Sequence, residues 1–242
     1  LLGMLVGLVV VLVALGYFFI TWIKRRRRED YALDFVTLMV RLPKENEVKV
    51  DAAEQMFAGL YSIKQSGWFS FLKPEDIFSF EIVALQENIA FYVSCPEKLQ
   101  DLVEKQIHGA YPNASIKEVD EVNIFSENGK VEFASLSLKE SNFLPIKTYK
   151  DLPTDGLSLI TSAMSKMGEG EGAMLQIIMR PEGDGWRNKG QGYIQNKKKK
   201  EADPDTASYD HDPKEIEQIK NKTEKPGFRV SIRVVVSSPN EM

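Results

Sequence analysis

The sequence has few of the residues on which redox or metal chemistry depends. Its 242 residues include one cysteine and two histidines. The single Cys95 excludes an internal disulfide and is typical of a reducing compartment. His108 and His211 lie far apart and have no cysteine pair beside them, so the sequence predicts no metal site and no cofactor.

Catalytic signatures are also missing. The glycine-rich segment 168–172 is acidic and precedes a predicted strand, so it does not fit a phosphate-binding loop. Cys95 ends another predicted strand, which indicates a small core residue rather than a nucleophile paired with His108. The sequence therefore predicts no enzyme activity. An enzymatic alternative requires an exposed Cys95 that alkylates rapidly at neutral pH.

The first 23 residues contain no charged side chain, although the whole chain has a hydrophilic mean hydropathy of −0.26. As a helix this segment would be roughly 35 Å long, slightly more than the hydrocarbon thickness of a bilayer. A basic cluster follows it, formed by Lys24, Arg25, Arg26, Arg27 and Arg28. The alternative, a buried helix of a globular domain, is disfavoured because the segment has no polar face.

This pattern predicts an uncleaved, single-pass transmembrane helix over residues 1–23 and a basic juxtamembrane linker over residues 24–33. The cluster would orient the protein at the anionic inner leaflet of the cell membrane, with the N-terminus outside and the rest cytoplasmic. Because the chain after the cluster is acidic, the sequence argues against direct nucleic-acid binding.

The remainder predicts an α+β protein. Residues 34–125 have the order strand, helix, strand, strand, helix, strand, which indicates a ferredoxin-like (βαββαβ-type) unit. Residues 130–242 begin in the same way, with an alternating strand, a helix over Thr154–Met167 and a second strand. A polar helical arm over residues 184–226 replaces the expected tight hairpin. We expect the last helix and strand of this second unit to lie beyond Met242, so that the unit is truncated at its C-terminus.

Two groups of side chains are candidate partner contacts. The first is an aromatic loop, whose alternative role is to plug the end of the first core, and it contains Trp68, Phe69 and Phe71. The second lies on the arm, where the lysines also fit a solvated helix end, and it consists of Trp186, Lys197, Lys198, Lys199 and Lys200. The arm itself is either a partly disordered insertion or an element that orders against a partner.

Three segments carry a resemblance to a known group: Val36 to Leu60 (VTLMVRLPKENEVKVDAAEQMFAGL), Phe80 to Ala114 and Gly172 to Trp186 (GAMLQIIMRPEGDGW). They resemble the membrane-proximal N-terminal region of bacterial proteins associated with type IV secretion or conjugative-transfer ATPases of the coupling-protein and HerA-like class. The resemblance implies a motor domain beyond Met242 that would carry the nucleotide site.

Together these features predict a non-catalytic, membrane-anchored cytoplasmic module that positions or assembles a translocation ATPase through protein contacts or self-association. The alternative function is a membrane-bound sensor that binds a small ligand between the two α+β units.

Overall fold

The computed structural model describes residues 2–32, 34–45, 47–65, 67, 74–86, 88–127, 129–153, 155–202 and 213–239. Within these ranges the chain is a mixed α+β structure. Its helices are α1 (Leu2–Ala32), α2 (Asp51–Leu60), α3 (Gln100–Ala110), α4 (Gly156–Met164), α5 (Gly185–Ala202) and α6 (Pro213–Glu224). Its strands are β1 (Phe35–Arg41), β2 (Phe78–Leu85), β3 (Asn88–Pro96), β4 (Ser115–Val119), β5 (Lys130–Leu136), β6 (Gly172–Pro181) and β7 (Phe228–Ser238).

The prediction of a transmembrane anchor requires correction. Within the described part of the chain, no helix has the length and apolarity to cross a bilayer. The structure therefore does not support a single-pass membrane protein with an external N-terminus. The residues predicted as a linker also differ from expectation, since the basic cluster Lys24, Arg25, Arg26, Arg27 and Arg28 lies inside α1.

The seven strands form one antiparallel sheet in the order β4-β1-β3-β2-β6-β7-β5. In its first half, β3 lies between β1 and β2, and β4 pairs with the outer edge of β1. In its second half, β7 lies between β5 and β6 in the same way. The two predicted units are therefore halves of a single sheet.

The junction between the halves is a continuous ladder of backbone hydrogen bonds. Strand β2 pairs with β6 over its whole length, from Phe78 opposite Met179 to Leu85 opposite Gly172. A polar contact reinforces this ladder, because the Glu81 carboxylate accepts hydrogen bonds from Ser79 Oγ (2.7 Å) and Gln176 Nε2 (2.9 Å). Since each strand is paired on both sides, no cleft separates the halves here.

The main core lies between the first half of the sheet and helices α2 and α3, on what we call the core face. Leu38, Leu60, Phe78 and Val103 are fully buried there. Both helices present apolar residues at helical spacing, and they pack side by side over the alternating apolar residues of the strands. The first half is therefore closed by two helices.

The core face continues into the second half but is covered less completely. Met164 at the end of α4 packs against Ile82, Ala84 and Leu175. In the sequence Leu157 and Ile160 recur with Met164 at helical spacing, yet in the structure both are exposed. Helical spacing marks an apolar face on α4, but only its C-terminal end contacts the sheet.

The last turn of α1 is held against the first half by a buried carboxylate. Tyr31 Oη donates a hydrogen bond to Asp76 (2.8 Å), and the Lys98 ammonium lies 2.6 Å from the same carboxylate. Burial, followed by the hydrogen bond to Asp76, raises the pKa of Tyr31, so its hydroxyl stays protonated. This cluster attaches the last turn of α1 to the first half.

Candidate functional site

A groove of about 1160 Å³ lies on the core face of the second half. Its floor is apolar and consists of Leu136, Phe228, Val230 and Ile232. One wall is α6 and the other is the segment between β5 and α4, residues 137–151. We call this feature the groove.

The floor follows from strand register. Leu136 of β5 lies opposite Ile232 of β7, so their side chains share one face of the sheet. Phe228 and Val230 are on the same face because side chains of a strand alternate. Leu136 is nevertheless 59% exposed and Val230 46% exposed, since α4 does not extend over this part of the sheet. The exposed apolar surface is the part of the core face that none of the described helices covers.

The α6 wall is a polar stripe at helical spacing. The face of this helix toward the groove carries Lys214, Gln218, Asn221 and Lys222, and Lys225 follows directly after the helix. Its other face is buried, with Ile219 fully enclosed and Thr223 packed against Gly190 of α5. The helix therefore holds its lysines toward the groove because its apolar residues are fixed on the opposite side.

The opposite wall is held by specific hydrogen bonds. Thr148 and Asp151 form a reciprocal capping box around a short 3-10 turn, Tyr149–Asp151. Tyr149 Oη donates to Asp51 at the start of α2, which ties the wall to the first half. Lys222 Nζ donates to the carbonyl oxygen of Leu144 (2.7 Å), which links the two walls. The groove therefore has a defined shape.

The rim of the groove is cationic. It has two acidic side chains, Asp151 and Glu182, and five basic ones: Lys147, Lys214, Lys222, Lys225 and Arg229. Lys225 pairs with Glu54, and Arg229 pairs with Glu182 at 2.5 Å. Burial lowers the pKa of Lys222, whose acceptor here is a neutral carbonyl. The arrangement suits a ligand that is apolar on one side and anionic along its edges.

The predicted contact residues lie elsewhere or are enclosed. Trp68, Phe69 and Phe71 fall outside the described residues. Trp186 is buried, because Gly227 lies so close to its indole ring that a Cβ at that position would overlap the ring. Its ring therefore packs at the base of the arm, where Trp186 also lines the groove.

The lysines of the arm differ among themselves. Lys197 pairs with Glu215 (3.3 Å) and lies over the ring of Tyr193, so it bridges α5 and α6. Lys198, Lys199 and Lys200 are exposed at the end of α5 and do not line the groove. The described part of the arm packs on itself and on Phe143 of the same chain.

Cys95, which the sequence analysis considered as a nucleophile, lies in the main core. Cys95 is fully buried, and burial raises the pKa of its thiol to about 12. It is therefore a neutral core thiol at physiological pH. Within the part of the chain that the structure describes, no three side chains of His, Cys, Asp or Glu are grouped to hold a metal ion.

Sequence reasoning missed the residues that form the groove. On α6, Lys214, Gln218 and Asn221 recur every three to four residues, a spacing that signals a polar helix face but not what lies opposite it. Residues 137–151 have no regular alternation from which their position could be inferred.

No curated protein matches the chain. Residues 29–242 match a family described as a domain of unknown function, DUF8128, and the chain therefore belongs to that family.

Proposed function

We propose that this protein is a non-catalytic docking module that positions or assembles a translocation ATPase. The groove is the single observation that carries the docking role. Its apolar floor is open while the equivalent surface of the first half is covered by two helices of the same chain. Exposed apolar surface bordered by polar residues is typical of protein-interaction sites.

The nature of the partner rests on the resemblance to proteins associated with secretion and conjugation ATPases. A rigid neighbouring domain with a docking surface would fix the position of such a motor. The second half of the sheet suits this task because it is joined to the closed first half by the β2–β6 ladder. A partner held in the groove would thus be fixed relative to the whole domain.

Site-specific photo-crosslinking in the source cells tests this proposal. A photoreactive residue at Leu138, on the wall of the groove, is compared with one at Phe125, an equally exposed apolar residue outside it. We expect Leu138 to capture a protein with a P-loop ATPase domain, identified by mass spectrometry, and Phe125 not to capture it. Absence of any P-loop ATPase at Leu138, or equal capture at both positions, contradicts the proposal.

A further inference from the structure

We propose that the groove binds an acidic amphipathic α-helix of the partner, laid alongside α6 with its apolar face on the β5–β7 floor. This inference rests on the proposed function and specifies the chemistry of the segment that is recognised. It is drawn from the floor, from the shape of the walls and from the charge of the rim.

A ligand on the floor of the groove must be recognised by side chains rather than by backbone hydrogen bonds. Strand β7 is hydrogen-bonded to β5 on one side and to β6 on the other, so its backbone groups are already paired. An extended peptide lying on this face would find no free ladder with which to pair. A helix satisfies its own backbone hydrogen bonds and presents an apolar stripe at i, i+3, i+4 and i+7, which is the form that fits an apolar floor.

The dimensions agree with a short helix. A helix with side chains is about 10–12 Å across and rises about 5.4 Å per turn, so one turn occupies roughly 500 Å³. The groove of 1160 Å³ therefore accommodates about two turns, with the ends of a longer helix in solvent. In the first half of the same sheet, α2 and α3 show this arrangement, since they lie side by side on the core face.

The charge of the rim selects an acidic helix. Lys214 and Lys222 lie two helical turns apart on α6, and Lys147 lies on the facing wall. Carboxylates on both flanks of a bound helix would thus meet ammonium groups on both sides. A basic helix would place like charges together in a partly desolvated groove, which is unfavourable.

Fluorescence anisotropy with the complete 242-residue chain tests the inference. The probe is a labelled 14-residue peptide with leucines at i, i+3, i+4 and i+7 and glutamates on both flanks. Its controls are a peptide of the same composition with the stripe scrambled and a peptide with lysine in place of glutamate. We expect saturable binding of the acidic amphipathic peptide alone, and binding that weakens as salt is raised.

Two groove variants and two matched variants locate the binding. Ile146→Asp and Lys214→Glu change exposed groove residues, whereas Leu159→Asp and Lys198→Glu make the same changes outside the groove. Each groove variant should weaken peptide binding about tenfold or more, equivalent to about 1.4 kcal/mol. The matched variants should stay within about twofold, and thermal unfolding of each variant verifies that it is folded.

Several results overturn the inference: equal binding of the scrambled or the basic peptide, equal effects of groove and matched variants, no binding at all, or tighter binding of dodecanoate than of the peptide. The last result would assign the groove to an anionic amphiphile. The crosslinking experiment separates the two proposals. If Leu138 captures an ATPase but no peptide binds, the inference of a bound helix fails and the proposed function stands. If the peptide binds but no ATPase is captured, the proposed ATPase partner fails and the inference of a bound helix stands.

Discussion

The two halves of the sheet use the same local strand order with different coverage. In the first half, β4 pairs with the free edge of β1 and α3 lies beside α2, so that the core is sealed. In the second half, the outer edge strand β5 is exposed at all seven residues, and only the end of α4 reaches the core. We therefore expect stability to be concentrated in the first half, and the proposed docking surface lies in the second.

Truncating one leucine in each half, buried in the first and exposed in the second, gives the largest contrast. Leu60→Ala removes a fully buried side chain under α2 and should lower the free energy of unfolding by about 3 kcal/mol. Leu136→Ala, in the exposed floor of the groove, should cost less than about 0.5 kcal/mol. Urea unfolding of both variants measures the difference. Equal losses would mean that the floor is as well packed as the core.

The rates at which a thiol reagent labels a cysteine in each half measure the same contrast between a buried core and an exposed floor. Native Cys95 should react with a thiol reagent at pH 8 at least about a hundredfold more slowly than in urea-unfolded protein, because burial keeps it neutral and enclosed. In Cys95→Ala/Leu136→Cys, the new thiol should react nearly as fast as in the unfolded chain. Rapid native labelling of Cys95 would contradict the sealed first core and would reopen the enzymatic alternative.

The Cys95 thiol should also make the free energy of unfolding depend on pH. Its pKa is about 12 in the folded protein against an ordinary value of 9.0. The folded state therefore keeps the Cys95 proton to higher pH than the unfolded state does. The stability that this contributes is present below pH 9 and is lost as the pH rises toward 12. Between these values wild type should lose up to about 1.4 kcal/mol more per pH unit than Cys95→Ala. Parallel urea-unfolding series at pH 8 to 11 test the slope, and identical slopes would place the thiol in solvent.

Shortening the buried side chain of α6 tests whether the groove wall is a folded element. Ile219→Val should lower the free energy of unfolding by about 1 kcal/mol, because Ile219 is fully enclosed. Ile146→Val, on the exposed opposite wall, serves as its control and should be nearly neutral. Hydrogen exchange of α6 should rise in the first variant. Unchanged exchange and stability would show that α6 does not pack as described.

The smallest expected effect concerns the attachment of α1. Tyr31→Phe removes one hydrogen bond to Asp76 and leaves the ion pair with Lys98 in place, so the loss should be about 1 kcal/mol. The effect should appear as faster hydrogen exchange in the last turn of α1, with β5 unchanged. Lys105→Met, which removes an exposed ion pair on α3, is the control and should be neutral within about 0.5 kcal/mol.

Periodic elements were the part of the structure that the sequence could predict. A β-branched run that is apolar on both faces predicts a strand over Phe35 to Leu42, and helical spacing predicts a helix from Asp51 to Ile63. The structure has β1 at Phe35–Arg41 and α2 at Asp51–Leu60 with a further 3-10 turn. The β2–β3 hairpin was predicted too, and its turn uses Gln86 at a positive φ of 48°. Local chemistry determines such elements, so local patterns reveal them.

Coverage of apolar faces was not predictable in the same way. The spacing of Leu157, Ile160 and Met164 indicates an apolar helix face, yet only Met164 is buried. Conversely, Trp186 has the character of an exposed anchor but packs against Gly227. Both outcomes depend on which distant segment lies opposite, as does the groove between α6 and residues 137–151. The apolar stretch at the start shows the same limit, since composition alone predicted a membrane span that the described residues do not support.

Hydrogen–deuterium exchange of the whole chain, with and without the acidic amphipathic peptide, tests most directly whether the second half is the docking surface. The account predicts that the peptide slows exchange in residues 137–151 and in α6, while α3 and β4 in the first half keep their rates. Protection confined to the first half, or no protection anywhere at saturating peptide, would contradict it.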